Sequence, residues 1–294
     1  QDGGHENLKM VRALLRRSKP PLRLARPTKG LWFVKRRSPR AIRRLIPTIL
    51  LAAGLLGPLH GPAEAVIGGR EDAGPLARAS VMVLNARGGV CSGIVLAPDV
   101  VLTAAHCVTG AEAYRVHYRD RTGEPVLITP REIVVHPRYD RDAIKARRRS
   151  VDIALVRLPQ PLPQSFATAA LSRAAPPREG ARLTIGGWGV AAEGDHRSTG
   201  TFRVLEMTVV KPYGPGRILV WLANGTKRRA GACEGDSGGP IADAGGLVVA
   251  VTGFARGEGR DRCGAMTQGT LVAPERAFID ATLERWGRRA DWAE

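Results

Sequence analysis

The stretch Cys233-Glu234-Gly235-Asp236-Ser237-Gly238-Gly239-Pro240 constrains this chain more than any other. Its glycines leave the backbone open around a hydroxyl, Ser237, and a carboxylate, Asp236, stands beside it. Two further strings come earlier: Leu102-Thr103-Ala104-Ala105-His106-Cys107, then Val151-Asp152-Ile153-Ala154-Leu155. Taken singly, each has an ordinary reading, since a serine between glycines is usually a turn and a histidine beside a cysteine can be packing. Taken together they supply a hydroxyl, an imidazole to accept its proton and a carboxylate to orient the imidazole.

The formal charge of +18 on 294 residues suggests nucleic acid or membrane at first sight, but its distribution argues otherwise. Residues 1–65 hold 14 Lys/Arg against 3 Asp/Glu, a net of +11, which leaves +7 on the remaining 229. The body is therefore mildly basic, a state that bears on solubility more than on partners. Within the leader, Arg43 and Arg44 precede a 15-residue apolar stretch, Leu45 to Leu59, broken by Pro47 and Pro58. His60-Gly61-Pro62-Ala63-Glu64-Ala65 then shows the small-x-small pattern that signal peptidase accepts. That stretch is too short and too broken for a comfortable spanning helix. The expected organisation is a basic extension over 1–44, an export signal over 45–65 and a folded body over 66–294. An uncleaved membrane anchor is the alternative. Leu45, Ile46 and Pro47 fit a twin-arginine signal poorly.

From Ser80 onward the pattern is all-β. Val81–Leu84, Val90–Leu96 and Val100–Thr103 are strand-like runs separated by turns at Arg87-Gly88-Gly89 and Ala97-Pro98-Asp99. Further runs are Val126–Thr129, Ile133–Val135, Ile153–Leu158, Leu183–Ile185, Arg203–Val210 and Leu247–Thr252. Short strands at this spacing indicate a barrel or sandwich. Gln160–Pro163 and Ala174–Gly180 are the linker candidates, and Pro274–Trp286 is read as a helix with Ile279, Leu283 and Trp286 on one face. Four cysteines allow three pairings. With no C-x-x-C and no paired histidines, metal binding is not expected, and nothing in the sequence calls for a cofactor.

In the order His, Asp, Ser, the three strings resemble the trypsin/chymotrypsin-like serine proteases, as a bacterial-type secreted member. Val135-His136-Pro137-Arg138-Tyr139 and Gly186-Gly187-Trp188-Gly189 resemble further landmarks of that family, and the likeness runs from about Val66 to Trp286. It implies two six-stranded antiparallel β-barrels packed around a catalytic cleft, over about 66–165 and 180–275, with a C-terminal helix over about 274–286. It also implies the disulfides Cys91–Cys107 and Cys233–Cys263, and hence an oxidising, secreted or periplasmic location. His106, Asp152 and Ser237 would form the catalytic triad, with the amides of Gly235 and Ser237 as oxyanion hole. His136 takes a non-catalytic family position, while His117 and His196 carry no motif and read as solvent-facing.

The same resemblance assigns Asp236 to an ion pair with a newly freed amino terminus, and Val66-Ile67-Gly68-Gly69 matches that terminus. The signal cut expected after Ala65 frees Val66, so export itself would generate the active form; a separately removed pro-segment is the alternative. For the substrate pocket, the position six before the nucleophile, a carboxylate in trypsin-like members, is Gly231 here, which argues against an Arg/Lys preference. Thr252 replaces a serine that supports the aspartate and the substrate backbone. Phe254 stands where many members have glycine, either narrowing the pocket toward small or medium apolar side chains or turning into the core. Gly269-Thr270 would form the opposite wall. The basic runs Lys145–Arg149 and Lys227–Arg229 read as solvated surface or as steering groups for acidic partners. Asn224-Gly225-Thr226 reads as a glycosylation acceptor or a turn.

The partners implied are a protein or peptide substrate, no nucleic acid, and a membrane only during export, for a monomer. The competing classes are a protease-fold binding protein without turnover and a membrane-anchored interaction protein of the cell envelope.

Overall fold

The computed structural model describes residues 66–294 except 112, 147, 212–216 and 226–228, with residues 144 and 211 described by backbone only. The extension over 1–44, the signal over 45–65 and the cut after Ala65 lie outside the described residues. So do Thr226 of the glycosylation pattern and Arg147, Lys227 and Arg228 of the basic runs.

Eight strands occupy the first half: β1 (Arg70–Glu71), β2 (Ser80–Asn85), β3 (Val90–Ala97), β4 (Val100–Thr103), β5 (Tyr114–Arg119), β6 (Pro125–Ile128), β7 (Glu132–Val135) and β8 (Ala154–Arg157). Hydrophobic runs bounded by turns dictate most of them. Between β2 and β3 the chain reverses at Gly88, whose φ of +79° suits glycine. There the Asn85 side-chain oxygen accepts from the amides of Arg87 and Gly89. Seven of these strands form one sheet in the order β6-β5-β2-β3-β4-β8-β7. Its two end strands, β6 and β7, are consecutive in the chain, separated only by Thr129, Pro130 and Arg131. Pro130 has no N–H with which to continue a ladder. One barrel strand is thereby split in two, and the sheet is an open half-barrel.

The second half adds β9 (Ala170–Ser172), β10 (Arg182–Gly187), β11 (Arg203–Lys211), β12 (Leu219–Ala223), β13 (Pro240–Ala242), β14 (Val248–Arg256), β15 (Met266–Leu271) and β16 (Asp291–Ala293). Six of them close a ring, β13-β10-β11-β12-β15-β14, sealed by pairing of β13 with β14. The architecture is all-β, a closed six-stranded barrel beside a half-barrel. The linker candidates fall outside strands, but β9 between them pairs in parallel with β14 and β16.

Both ends of the described chain cross to the opposite sheet. Arg70 and Glu71 pair with Val204 and Arg203 on β11, and Ile67 bridges Gly231, so residues 66–71 lie with the second barrel and not the first. In return, the helix Arg276–Arg285 buries Ile279, Leu283 and Trp286 in the hydrophobic core of the half-barrel. Trp286 Nε1 donates to Glu132 on β7 at 2.8 Å, and Arg288 pairs with Asp99 at 2.7 Å. The disulfides Cys91–Cys107 and Cys233–Cys263 are both formed, with Cα separations of 6.0 and 5.0 Å. Among the described residues no helix is long and apolar enough to cross a membrane.

Candidate active site

His106 sits on a short 3₁₀ turn, Ala105–Val108, directly after β4, with its neighbour Cys107 tied to β3 through Cys91. Asp152 grips this turn twice. Its Oδ2 lies 2.6 Å from His106 Nδ1, and its Oδ1 accepts the His106 backbone N–H at 2.9 Å. An anionic acceptor on Nδ1 keeps the proton on that nitrogen and leaves Nε2 free to act as a base. Nε2 lies 3.7 Å from Cys107 Sγ, and the same sulfur lies 3.7 Å from the Ser237 carbonyl oxygen, which brings imidazole and nucleophile loop to one spot. No direct bond joins Nε2 to the Ser237 hydroxyl among the described contacts; in substrate-free sites that bond is commonly long and tightens on binding.

The Ser237 loop is held from across the interface by a residue that sequence reasoning missed. Ser92 on β3 is fully buried. Its N–H donates to the Ser237 carbonyl at 2.7 Å, its hydroxyl donates to the Gly235 carbonyl at 2.8 Å, and that hydroxyl accepts the Trp188 N–H at 2.9 Å. The clue was a serine inside the apolar run Val90–Leu96, since a buried hydroxyl must find partners. Gly238 (φ +83°) packs so closely on the Ser92 carbonyl and the Thr103 hydroxyl that no Cβ fits. Gly235 (φ +97°) would place a Cβ 2.6 Å from Gly189 Cα. Among the described hydrogen bonds, the Gly235 and Ser237 amides donate to no protein acceptor.

Asp236 points away from the cleft into the barrel. It is 1 % exposed, and its oxygens accept the amides of Gly189 (2.9 Å) and Cys233 (2.8 Å). Burial pushes its pKa up to about 7, against those two hydrogen bonds and the charge of Arg203. No cation forms an ion pair with it among the described residues. Nearby, Ile67 packs against the Cys233–Cys263 disulfide, and Val66 is fully buried with φ of 47°. A β-branched residue in that region is strained.

The cleft holding His106, Asp152 and Ser237 has a volume of about 840 Å³. Phe254 lines it and makes an edge-to-face contact with Trp221 at 6.4 Å between centroids. Three expected pocket positions require correction. Thr252 is buried behind the wall, and its Oγ1 finds no partner, so it does not hydrogen-bond Asp152. The added methyl restricts its χ1, and it acts through its backbone, accepting from Gly238 N–H at 2.7 Å and donating to Gly239 at 2.9 Å. A Cβ on Gly269 would meet Ile241 and Ala250, so that residue faces the barrel interior; Gln268 and Thr270 line the cleft instead. Gly231 is buried, paired with Ile67, and does not line the cleft.

The other histidines are elsewhere. His136 is 4 % exposed and bonds Glu275, at the foot of the C-terminal helix, at 3.0 Å. Its Nδ1 accepts the Arg138 N–H at 3.1 Å, and burial lowers its pKa. His117 donates to the Val126 carbonyl at 2.9 Å and is half-buried, against the expectation of a solvent-facing ring. His196 is exposed, 3.8 Å from Glu234.

The Trypsin family model matches residues 66–273. Human cathepsin G is 31% identical over 217 residues, 66% of this chain and 80% of that protein. Brachyurin from Leptuca pugilator is 29% identical over 187 residues, 58% of this chain and 77% of its own. Among solved structures, mouse neuropsin, described as a serine protease, superimposes with a TM-score of 0.60 at 25% identity, covering 74% of this chain and 99% of its own. The chain belongs to the trypsin family and is a serine endopeptidase, a hydrolase. These relatives are animal proteins and lend no support to the bacterial type expected from the sequence.

Proposed function

We propose an exported endopeptidase in which Ser237 attacks, His106 moves the proton and Asp152 holds the imidazole. The observation that carries this reading is the double grip of Asp152 on His106 at the edge of the cleft that also holds Ser237. Ser237 Oγ adds to the substrate carbonyl carbon while His106 Nε2 takes its proton. The resulting oxyanion receives the free amides of Gly235 and Ser237, each such donor being worth on the order of 10²–10³ in rate. Collapse expels the amine, which takes the proton from His106 and leaves an acyl-enzyme. Water, deprotonated by the same nitrogen, releases the acid and restores Ser237. Asp152 stays ionised and stabilises the imidazolium.

A fluorophosphonate label followed by peptide mapping tests the assignment. It modifies Ser237 in an active enzyme, and Ser237→Ala loses both the label and about 10⁶ in turnover. An unlabelled, folded chain would leave the protease-fold binding protein as the reading.

The mature chain starts at Val66. Support comes from the buried, strained Val66 and from Asp236, a buried carboxylate that feels the charge of Arg203 but has no ion-pair partner among the described residues. Cutting the Ala65–Val66 bond relieves the strain and supplies an α-ammonium for that carboxylate. N-terminal sequencing of exported protein checks this; a start upstream of Val66 sinks it. Phe254 on the cleft wall, with the uncharged Gln268 and Thr270 beside it, favours small or medium apolar side chains over Arg/Lys at the cleaved position. Two disulfides fit a secreted or periplasmic site of action. The enzyme acts as a monomer on proteins or peptides, with no cofactor.

A further inference from the structure

We infer that this cleft selects peptides carrying carboxylates beside, and not at, the residue whose bond is cut. The inference rests on the endopeptidase reading above and adds a substrate class to it. Five arginines line the cleft with the triad: Arg141, Arg148 and Arg149 from the loop before Asp152, Arg217 at the entry to β12, and Arg262 beside the Cys233–Cys263 disulfide. They are scattered along the sequence and converge only in the fold.

Two of the five are already neutralised. Arg148 pairs with Asp140 at 2.6 Å, and Arg262 pairs with Glu234 at 2.8 Å and Glu193 at 3.0 Å. The third carboxylate on the cleft, Asp152, is committed to His106. Arg141, Arg149 and Arg217 remain, all exposed and without a carboxylate partner among the described residues. A cleft with three unspent guanidiniums and no unspent carboxylate is complementary to an anionic chain and repels a cationic one.

The pocket wall is different in kind. Phe254, Gln268 and Thr270 carry no charge there. A carboxylate pushed against that wall loses water and gains no cation. Acidic side chains are therefore accepted on the flanks of the cleaved residue and refused at it.

Matched internally quenched peptides test this. One series has alanine at the cleaved position and glutamates flanking it; the second replaces each glutamate by glutamine; the third moves glutamate to the cleaved position. An exposed ion pair gives about twofold, so three give roughly tenfold in kcat/KM for the first series over the second, shrinking as salt is added. Replacing Arg141, Arg149 and Arg217 together by glutamine brings the ratio toward one, and the third series is cut poorly. Equal cleavage of the first two series overturns the inference while leaving the endopeptidase intact. If no peptide is cut, the endopeptidase reading fails instead. Fluorescence anisotropy with the Ser237→Ala chain then still decides the substrate class, because tighter binding of the glutamate series upholds it and equal binding ends it.

Discussion

Replacing Asp236 by asparagine in the uncleaved chain tests the logic of activation most directly. Before Val66 is freed, Asp236 lies buried with two amide donors and the more distant charge of Arg203, and burial outweighs them to raise its pKa from 3.8 to about 7. A raised carboxyl pKa means the folded state keeps a proton that the unfolded chain has released. The contribution is therefore fully present below the unfolded value and lost as pH climbs through the folded one. At about 1.4 kcal/mol per unit, a rise of some three units removes about 4 kcal/mol of stability.

Asparagine is neutral throughout and abolishes that loss. Its NH₂ faces an amide that the carboxylate oxygen used to accept, which costs about 1–3 kcal/mol. Urea unfolding in a Ser237→Ala background, which prevents self-processing, is the assay. Near pH 5 Asp236→Asn is the less stable chain; near pH 8 the order reverses or closes, a swing of about 2–4 kcal/mol. In a chain beginning at Val66 the ammonium partners the carboxylate, and asparagine is the weaker at both values. A difference between Asp and Asn that does not change with pH in the uncleaved chain would refute the reasoning, because Asp236 would not be the titrating group.

Three further outcomes are expected. Ser92→Ala strands the Trp188 N–H and the Gly235 carbonyl, lowering stability by about 1–3 kcal/mol and kcat by about tenfold with KM nearly constant; a loss confined to KM contradicts the oxyanion-loop role. Phe254→Gly opens the cleft wall and raises kcat/KM for a phenylalanine over an alanine at the cleaved position by about tenfold or more, and an unchanged ranking in a peptide library removes Phe254 from the pocket. His136 is held neutral by burial, so its stabilising contribution is present above the ordinary value of 6.5 and fades as pH falls through its lower folded value. Ring-proton NMR reads that midpoint directly, and a value at or above 6.5 disproves it.

Sequence reasoning reached the triad because the chemistry admits few residue types and the flanking strings are distinctive. It reached β2–β4, β6–β8, β10, β11 and β14, whose apolar runs are bounded by turns, and missed β5, β12 and β13. It missed β15, whose inward positions include Thr267 and Gly269; the threonine is tolerated there because its hydroxyl accepts the Ala232 N–H at 2.9 Å. It missed β1, β9 and β16 because two or three residues carry no period. The count forward from Ser237 placed Thr252 and Gly269 in the right neighbourhood. It could not say which way they point, since in a strand one step of register turns a residue from cleft to core. Of the arginine-lined cleft, the sequence offered the run Lys145–Arg149 as steering groups for acidic partners; Arg217 and Arg262 join that run on one cleft only once the chain folds.

The crossing of the chain ends has a mechanical meaning. His106 and Asp152 belong to the half-barrel and Ser237 to the closed barrel, so chemistry depends on the registration of two separate sheets. With residues 66–71 stitched into one and the C-terminal helix into the other, neither lobe is a freestanding module that can hinge away. Substrate admission then falls to surface loops, and severing the chain between Gln160 and Gly180 should yield fragments that fold only in each other's presence.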